Sequence, residues 1–206
     1  MIVLIYHDPG LSEGHTMMVR MAEKLRSKLG VDVRAYPISS IEEGSAMVRQ
    51  GDIVFALLPF RGGHLSTVEE YVNEAKALMA GKIPLEIIAK NVVRRLEGCE
   101  KVTVLYWKAK RRVEDQLEDL NFITSRIREL LGNVEVRLAL SCNSNCEGCV
   151  VVASLLPGRL TVEASSKGLD VRVPYLLALI EDDIISWIEE TVTKSFTCKA
   201  GIPERI

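Results

Sequence analysis

Two of the three histidines of this chain, His7 and His64, follow apolar segments of the length and composition of buried β-strands. Residues 53–58 form an apolar run suited to a strand buried on both faces, and a proline and a pair of glycines end it before His64. Residues 2–6 form another short apolar strand, which ends at His7. Imidazole binds divalent metals and exchanges protons near neutral pH. We therefore predict His7 and His64 as catalytic and metal-binding residues.

Strands and helices alternate along the chain around these histidines. Apolar residues recur at helical spacing over residues 12–29, and residues 31–36 alternate as a strand. Strands that alternate with helices pair in parallel through right-handed crossovers. If the strand order is 2-1-3, His7 and His64 lie at the carboxyl ends of neighbouring strands, where open α/β sheets bind ligands.

A loop position is predicted for His64, because Ser66 and Thr67 can cap a helix that extends over about residues 67–79. The third histidine, His15, lies near the start of the first long helix. We expect His15 to be a capping or rim residue.

The same pattern restarts after Gly98, which indicates an internal duplication. Residues 102–107 match residues 2–7, with Tyr106 in the place of Tyr6. The predicted fold is α/β, with two similar lobes that are each a mostly parallel four-stranded sheet flanked by helices. The lobes are residues 1–97, which carry the histidines, and residues 98–206.

Composition excludes several classes of protein. The formal net charge is -2 and the 26 basic residues are spread along the chain, so no footprint for nucleic acid is present. The run of basic residues over 108–112 is interpreted as solvated surface. Neither a signal peptide nor a membrane span is indicated. We expect a cytoplasmic protein, a monomer or homodimer, with no nucleic-acid or membrane partner.

The first 97 residues resemble the CbiX-type sirohydrochlorin cobaltochelatases, class II chelatases that insert a divalent metal into a tetrapyrrole without ATP. The resemblance rests on His7 at the end of strand one, on LPFRGGH after an apolar strand, on the Ser-Ile-Glu-Glu helix start and on the Ile-Pro-Leu segment before the last helix. The remainder resembles a diverged second copy, as in two-lobed members of the group. The resemblance implies that His7 and His64 bind incoming Co²⁺, Ni²⁺ or Fe²⁺ and help to remove pyrrole protons.

The chain departs from the family pattern at two places. Tyr6-His7-Asp8-Pro9 stands where the family has a Gly-His-Gly-Ser type of turn, and no carboxylate is present at Ala35-Tyr36-Pro37, where the family carries a glutamate. The candidates for this third participant are Glu42, Glu43, Glu69 and Asp8.

Three further residues are predicted to bind the tetrapyrrole. Arg61 and Arg159 stand at equivalent rims of the two copies and can donate to carboxylates, with solvent-facing loop positions as the alternative. Trp107 replaces His7 in the second copy and can lie against a flat ring, with a core position as the alternative.

The cysteines form a cluster in the second copy. Cys142, Cys146 and Cys149 are spaced as C-x3-C-x2-C, which suits an iron–sulfur cluster or a soft metal, with Cys198 or Cys99 as a fourth ligand. The alternatives are a disulfide from Cys142 or Cys146 to Cys198, with Cys149 as a buried small side chain. The odd number of cysteines does not indicate a secreted disulfide framework. Two other functions therefore stay open: a non-catalytic iron–sulfur or metal-binding protein on a chelatase-like scaffold, and a regulatory relative with an empty cleft.

Overall fold

The computed structural model describes residues 1–140 and 146–199, with side chains described through Ser195. Two four-stranded parallel sheets form the molecule, with strand orders β2-β1-β3-β4 and β6-β5-β7-β8. The first half contains β1 (Ile2–Tyr6), α1 (Ser12–Leu29), β2 (Val33–Pro37), α2 (Ser39–Glu42), β3 (Ile53–Leu57), α3 (Gly63–Glu74), β4 (Leu78–Lys82) and α4 (Leu85–Arg95). The second contains β5 (Lys101–Leu105), α5 (Val113–Leu131), β6 (Glu135–Ala139), β7 (Cys149–Val152), α6 (Arg159–Ser166), β8 (Asp170–Val173) and α7 (Leu177–Lys199).

The two sheets have the same strand order, which confirms the predicted fold class. Strands β1 and β3 are central in the first sheet and every residue in them is buried, as expected for apolar runs covered by helices on both faces. Helix α1 buries its apolar stripe and ends at Gly30, which has φ 65° and donates its amide to the Arg26 carbonyl. Glycine adopts this left-handed conformation without strain.

One apolar core extends across both sheets. Helix α4 packs against α5 and α7, and α1 packs against α7, so that buried side chains of both halves belong to a single cluster. The predicted boundary between residues 97 and 98 falls between α4 and β5, and the division of the chain into two domains there stays a prediction. In the described part of the chain, no helix is long and apolar enough to cross a membrane.

The helix predicted over residues 67–79 is displaced in the structure. It begins at Gly63 and ends at Glu74, and residues 78–82 form β4 instead. Strand β4 pairs with β3, with a register shift between Val54 and Phe55. This pairing satisfies backbone groups at the sheet edge, and it outweighs the helical propensity of Leu78, Met79 and Ala80.

A disulfide joins Cys99, just before β5, to Cys149 at the start of β7, with 6.1 Å between the Cα atoms. Cys146 is also disulfide-bonded. The prediction that Cys149 and Cys146 ligate a cluster is therefore wrong for this oxidised chain, because a disulfide sulfur offers no thiolate charge. Disulfides are typical of oxidising compartments and of some hyperthermophile proteins, so these bonds do not favour the expected cytoplasmic location. The predicted ligand Cys142 and the side chain of Cys198 lie outside the described residues.

Replacing both cysteines, as Cys99→Ala/Cys149→Ala, removes a cross-link between residues separated by 50 positions. Loop entropy gives an expected loss of about 4 kcal/mol in the free energy of unfolding. Urea unfolding followed by circular dichroism measures the loss. Dithiothreitol should destabilise the unsubstituted chain more than the double variant, and equal stability of the two chains without reductant would contradict the disulfide.

Candidate functional site

The parallel pairing of β1 and β3 brings two histidines together. Tyr6 pairs with Leu57, so both strands end at the same level of the sheet. His7 follows β1 directly, and the chain beyond β3 carries His64. The two imidazole rings lie 4.7 Å apart between centroids, at an interplanar angle of 85°. The strand order 2-1-3 on which this convergence was predicted is confirmed.

His64 lies in the first turn of α3, and its prediction as a loop residue is wrong. Gly62 precedes the helix in an extended conformation, and Gly63 is the first helical residue. Thr67 was predicted to cap the helix, but its hydroxyl donates to the Gly63 carbonyl at 3.2 Å from within the helix. The helix start thus fixes the position of the His64 backbone at the cleft.

The hydrogen bond of His7 sets its tautomer. His7 Nδ1 lies 2.9 Å from the backbone carbonyl oxygen of Asp8, and a carbonyl oxygen can only accept, so Nδ1 donates. The lone pair of the neutral ring is then on Nε2, where it can ligate a metal or accept a proton. The Asp8 carboxylate fixes the same turn, because it accepts from the Ser39 amide at 3.0 Å and from the Ser39 hydroxyl.

The turn after β1 also contacts the second half of the molecule. A methyl group added to Gly10 would lie 3.5 Å from the backbone nitrogen of Arg159. A methyl group added to Gly14 would collide with the Pro9 side chain. The turn that follows His7 is therefore in contact with the start of α6.

Electrostatics favour the neutral form of His64. The residue as a whole is exposed to solvent, yet neighbouring atoms partly desolvate the ring, and this desolvation lowers its pKa from 6.5. The charge of His7 adds to the lowering, Lys110 does so weakly, and Glu42 and Asp8 oppose it. A neutral imidazole can both ligate a cation and accept a proton.

Three of the four candidate carboxylates can be placed relative to the pair. Asp8 is bonded to Ser39, and Glu69 faces Arg112 at 3.6 Å. Glu42, in α2, and Asp8 both raise the pKa of His64 through their charges. Glu42 and Asp8 are thus the candidate carboxylates whose charges act on the pair.

The third histidine has a different partner. Tyr6 is buried, and burial followed by the charge of Asp8 raises its pKa to about 12. The hydroxyl therefore keeps its proton, and it is hydrogen-bonded to His15 Nδ1 at 2.9 Å. His15 is therefore bonded to Tyr6 and is not part of the His7–His64 pair.

The second copy carries a different pair at the equivalent positions. Trp107 follows β5 as His7 follows β1, and Arg159 opens α6 close to where His64 opens α3. The Arg159 guanidinium carbon lies 5.9 Å from the centroid of the Trp107 ring. Trp107 is 52% exposed, which rules out the core alternative. One copy thus presents two imidazoles and the other an aromatic ring with a cation.

Arg61 lies in a contact between the two halves. Its Nε donates to Asp119 Oδ1 at 2.8 Å and its backbone amide donates to Asp119 Oδ2 at 2.7 Å. Asp119 is buried in α5 and also pairs with Lys82 at 3.2 Å, while the Arg61 terminal nitrogen pairs with Glu118. These contacts favour an interlobe role for Arg61 over the predicted role in substrate binding. Asp119 itself was missed by the sequence analysis.

A further group of metal ligands is not evident. Within residues 1–140 and 146–199, no three or more His, Cys, Asp or Glu side chains are grouped so that they could hold a metal ion.

Comparisons with known proteins address the fold. No protein-family model matches the chain, and no curated protein matches its sequence. A solved structure is similar: the sirohydrochlorin chelatase SirB from Bacillus subtilis subspecies spizizenii in complex with cobalt. The TM-score is 0.63 with 13% identity, over 92% of this chain and 94% of that chain. The chain therefore shares its fold with that structure: two four-stranded parallel sheets flanked by helices.

The protonation of His64 gives a test of the site. We expect a pKa below 6.5, because the folded chain disfavours the charged ring. The unfolded chain then binds more protons between the folded pKa and 6.5, so this group's contribution to stability falls as pH decreases through that window. Two-dimensional NMR of the imidazoles measures the pKa. His7→Gln should raise it by removing a nearby charge, and a His64 pKa at or above 6.5 in the unsubstituted chain would contradict the geometry.

Proposed function

We propose that this chain inserts a divalent metal ion into sirohydrochlorin or a related tetrapyrrole without ATP, as a CbiX-type cobaltochelatase does. The metal is Co²⁺, with Ni²⁺ and Fe²⁺ as alternatives. The observation that carries the proposal is the pair of imidazole rings 4.7 Å apart at the carboxyl ends of adjacent strands. The chelatase fold supports it, since the similar structure is that of a sirohydrochlorin chelatase in complex with cobalt.

The proposed reaction exchanges a cation for two protons. The incoming ion is held by His7 Nε2 and by a ring nitrogen of His64, and two imidazoles leave its other coordination positions to water and to the macrocycle. Bonds from the ion to the pyrrole nitrogens then replace the bonds to the imidazoles. Each of the two pyrrole N–H groups loses its proton to a nearby base. The two positive charges lost as protons balance the two charges of the incoming ion.

The environment of the pair suits this exchange. A group that delivers a metal must be neutral to ligate it, and the lowered pKa of His64 favours the neutral ring near pH 7. We propose Glu42 as the third participant, which accepts a proton from the histidines or from the pyrroles. Its negative charge also favours the protonated imidazole once the metal has left.

The macrocycle is proposed to lie between the halves comprising residues 1–97 and 98–206. Trp107 offers an exposed aromatic face for the flat ring, and Arg159 offers a guanidinium to a peripheral carboxylate. In this arrangement the first copy handles the metal and the second copy positions the ring.

Single substitutions of the pair test the proposal. His7→Ala and His64→Ala should each lower the rate of Co²⁺ insertion into sirohydrochlorin by roughly a hundredfold or more, because each removes a ligand and a proton acceptor. The macrocycle absorbance spectrum measures insertion, and circular dichroism verifies folding.

His15→Gln is the matched control, because His15 is bonded to Tyr6 and lies outside the pair. This variant should retain most of the activity. The proposal fails if the unsubstituted chain does not exceed the uncatalysed rate, or if either alanine variant keeps the full rate.

A further inference from the structure

The loop between β5 and α5, residues 106–112, packs against the helix start that carries His64. A methyl group added to Gly62 would lie 3.3 Å from Ala109 Cβ, and one added to Gly63 would lie 3.2 Å from Arg111 Cβ. The end of the loop is tied to α3, because Arg112 pairs with Glu69 at 3.6 Å. The basic run interpreted as solvated surface is therefore adjacent to the candidate site.

Gln116 of α5 braces the loop from inside. Its side-chain oxygen accepts from the Ala109 amide at 2.8 Å, and its side-chain nitrogen donates to the Trp107 carbonyl at 2.8 Å. Arg112 completes the turn with φ 52°. These contacts hold the backbone of the loop in one conformation at the edge of the cleft.

Three cations on this loop face solvent. Lys108, Lys110 and Arg111 are exposed, and among the described residues none of them lies within ion-pair distance of a carboxylate. Arg159, at the start of α6 in the same half of the chain, adds a fourth cation beside Trp107. The chain as a whole has a net charge of -2, so this concentration of positive charge is local.

We propose that Lys108, Lys110 and Arg111 form a cationic rim that selects macrocycles by the number of their peripheral carboxylates. The inference rests on the proposed function and adds the residues that determine specificity. A tetrapyrrole lying over the histidines directs its carboxylates outward, toward the rim of the cleft. The rim then supplies the donors that Arg61 cannot, since Arg61 is bonded to Asp119.

The size of the effect follows from the exposure of these side chains. Exposed ion pairs each change a dissociation constant by roughly two- to fivefold. Three acting together should change it by about tenfold to a hundredfold, and the effect should weaken as salt concentration rises.

The test uses the triple variant Lys108→Gln/Lys110→Gln/Arg111→Gln. Two metal-free porphyrins serve as probes: uroporphyrin, with two carboxylates on every pyrrole, and coproporphyrin, with one. Fluorescence titration at several salt concentrations measures their dissociation constants. We expect the triple variant to lose about tenfold or more in affinity for uroporphyrin, to lose less for coproporphyrin and to show a shallower salt dependence. Calorimetric binding of Co²⁺ alone should not weaken, because the loss of positive charge near His64 does not disfavour a cation there.

A matched variant, Arg20→Gln/Lys90→Gln/Arg95→Gln, removes three exposed cations on α1 and α4 and should bind both porphyrins as the unsubstituted chain does. The inference is overturned if the loop variant keeps its affinity for uroporphyrin, or if the matched variant loses as much. Insertion kinetics separate it from the proposed function. If the chain inserts the metal and the loop substitutions leave its KM for the macrocycle unchanged, the cationic rim is rejected and the chelatase proposal stands. If the loop substitutions weaken porphyrin binding but the unsubstituted chain inserts no metal, the chelatase proposal is rejected and the rim stands.

Discussion

The direct pairing of β1 with β3 is the constraint on which the site depends. Neighbouring strands lie about 4.8 Å apart, so residues that leave adjacent parallel strands at one level can reach a common ion. His7 follows β1 directly and His64 lies in the first turn of α3, beyond the end of β3, and their rings are 4.7 Å apart. The buried apolar residues of both strands stabilise this pairing, and through it they position the imidazoles.

Duplication explains why the same scaffold carries two kinds of site. The two sheets have the same strand order. In each half, one site residue follows the first strand and another lies at the start of the helix that follows the third strand. The first copy places His7 and His64 there, and the second places Trp107 and Arg159. The turns after β1 and β5 each contact the opposite half, near Arg159 and Gly63 respectively. The shared core between α4, α5 and α7 holds the two halves against each other.

Local and repeated features were predictable from the sequence. Hydrophobic periodicity predicted α1 with its bounds, and the alternation of strands and helices predicted the parallel sheets. The convergence of His7 and His64 followed from the strand order. The start of α3 was missed because glycines precede it, and Gly62-Gly63 reads as a loop although Gly63 opens the helix.

Contacts between distant segments were not predictable in the same way. The Cys99–Cys149 disulfide depends on the pairing of β5 with β7, which sets Val102 opposite Cys149, and no spacing along the chain indicates it. The bond from Arg61 to Asp119 depends on how the two halves pack. A carboxylate next to Leu120 in the apolar stripe of α5 was the one available signal, and it identified no partner.

The most direct measurement of the central claim is the anomalous scattering of cobalt in crystals of this chain soaked with Co²⁺. The account predicts a peak about 2 Å from both His7 Nε2 and a ring nitrogen of His64. A cobalt ion bound elsewhere, or bound by only one of these two rings, would contradict it.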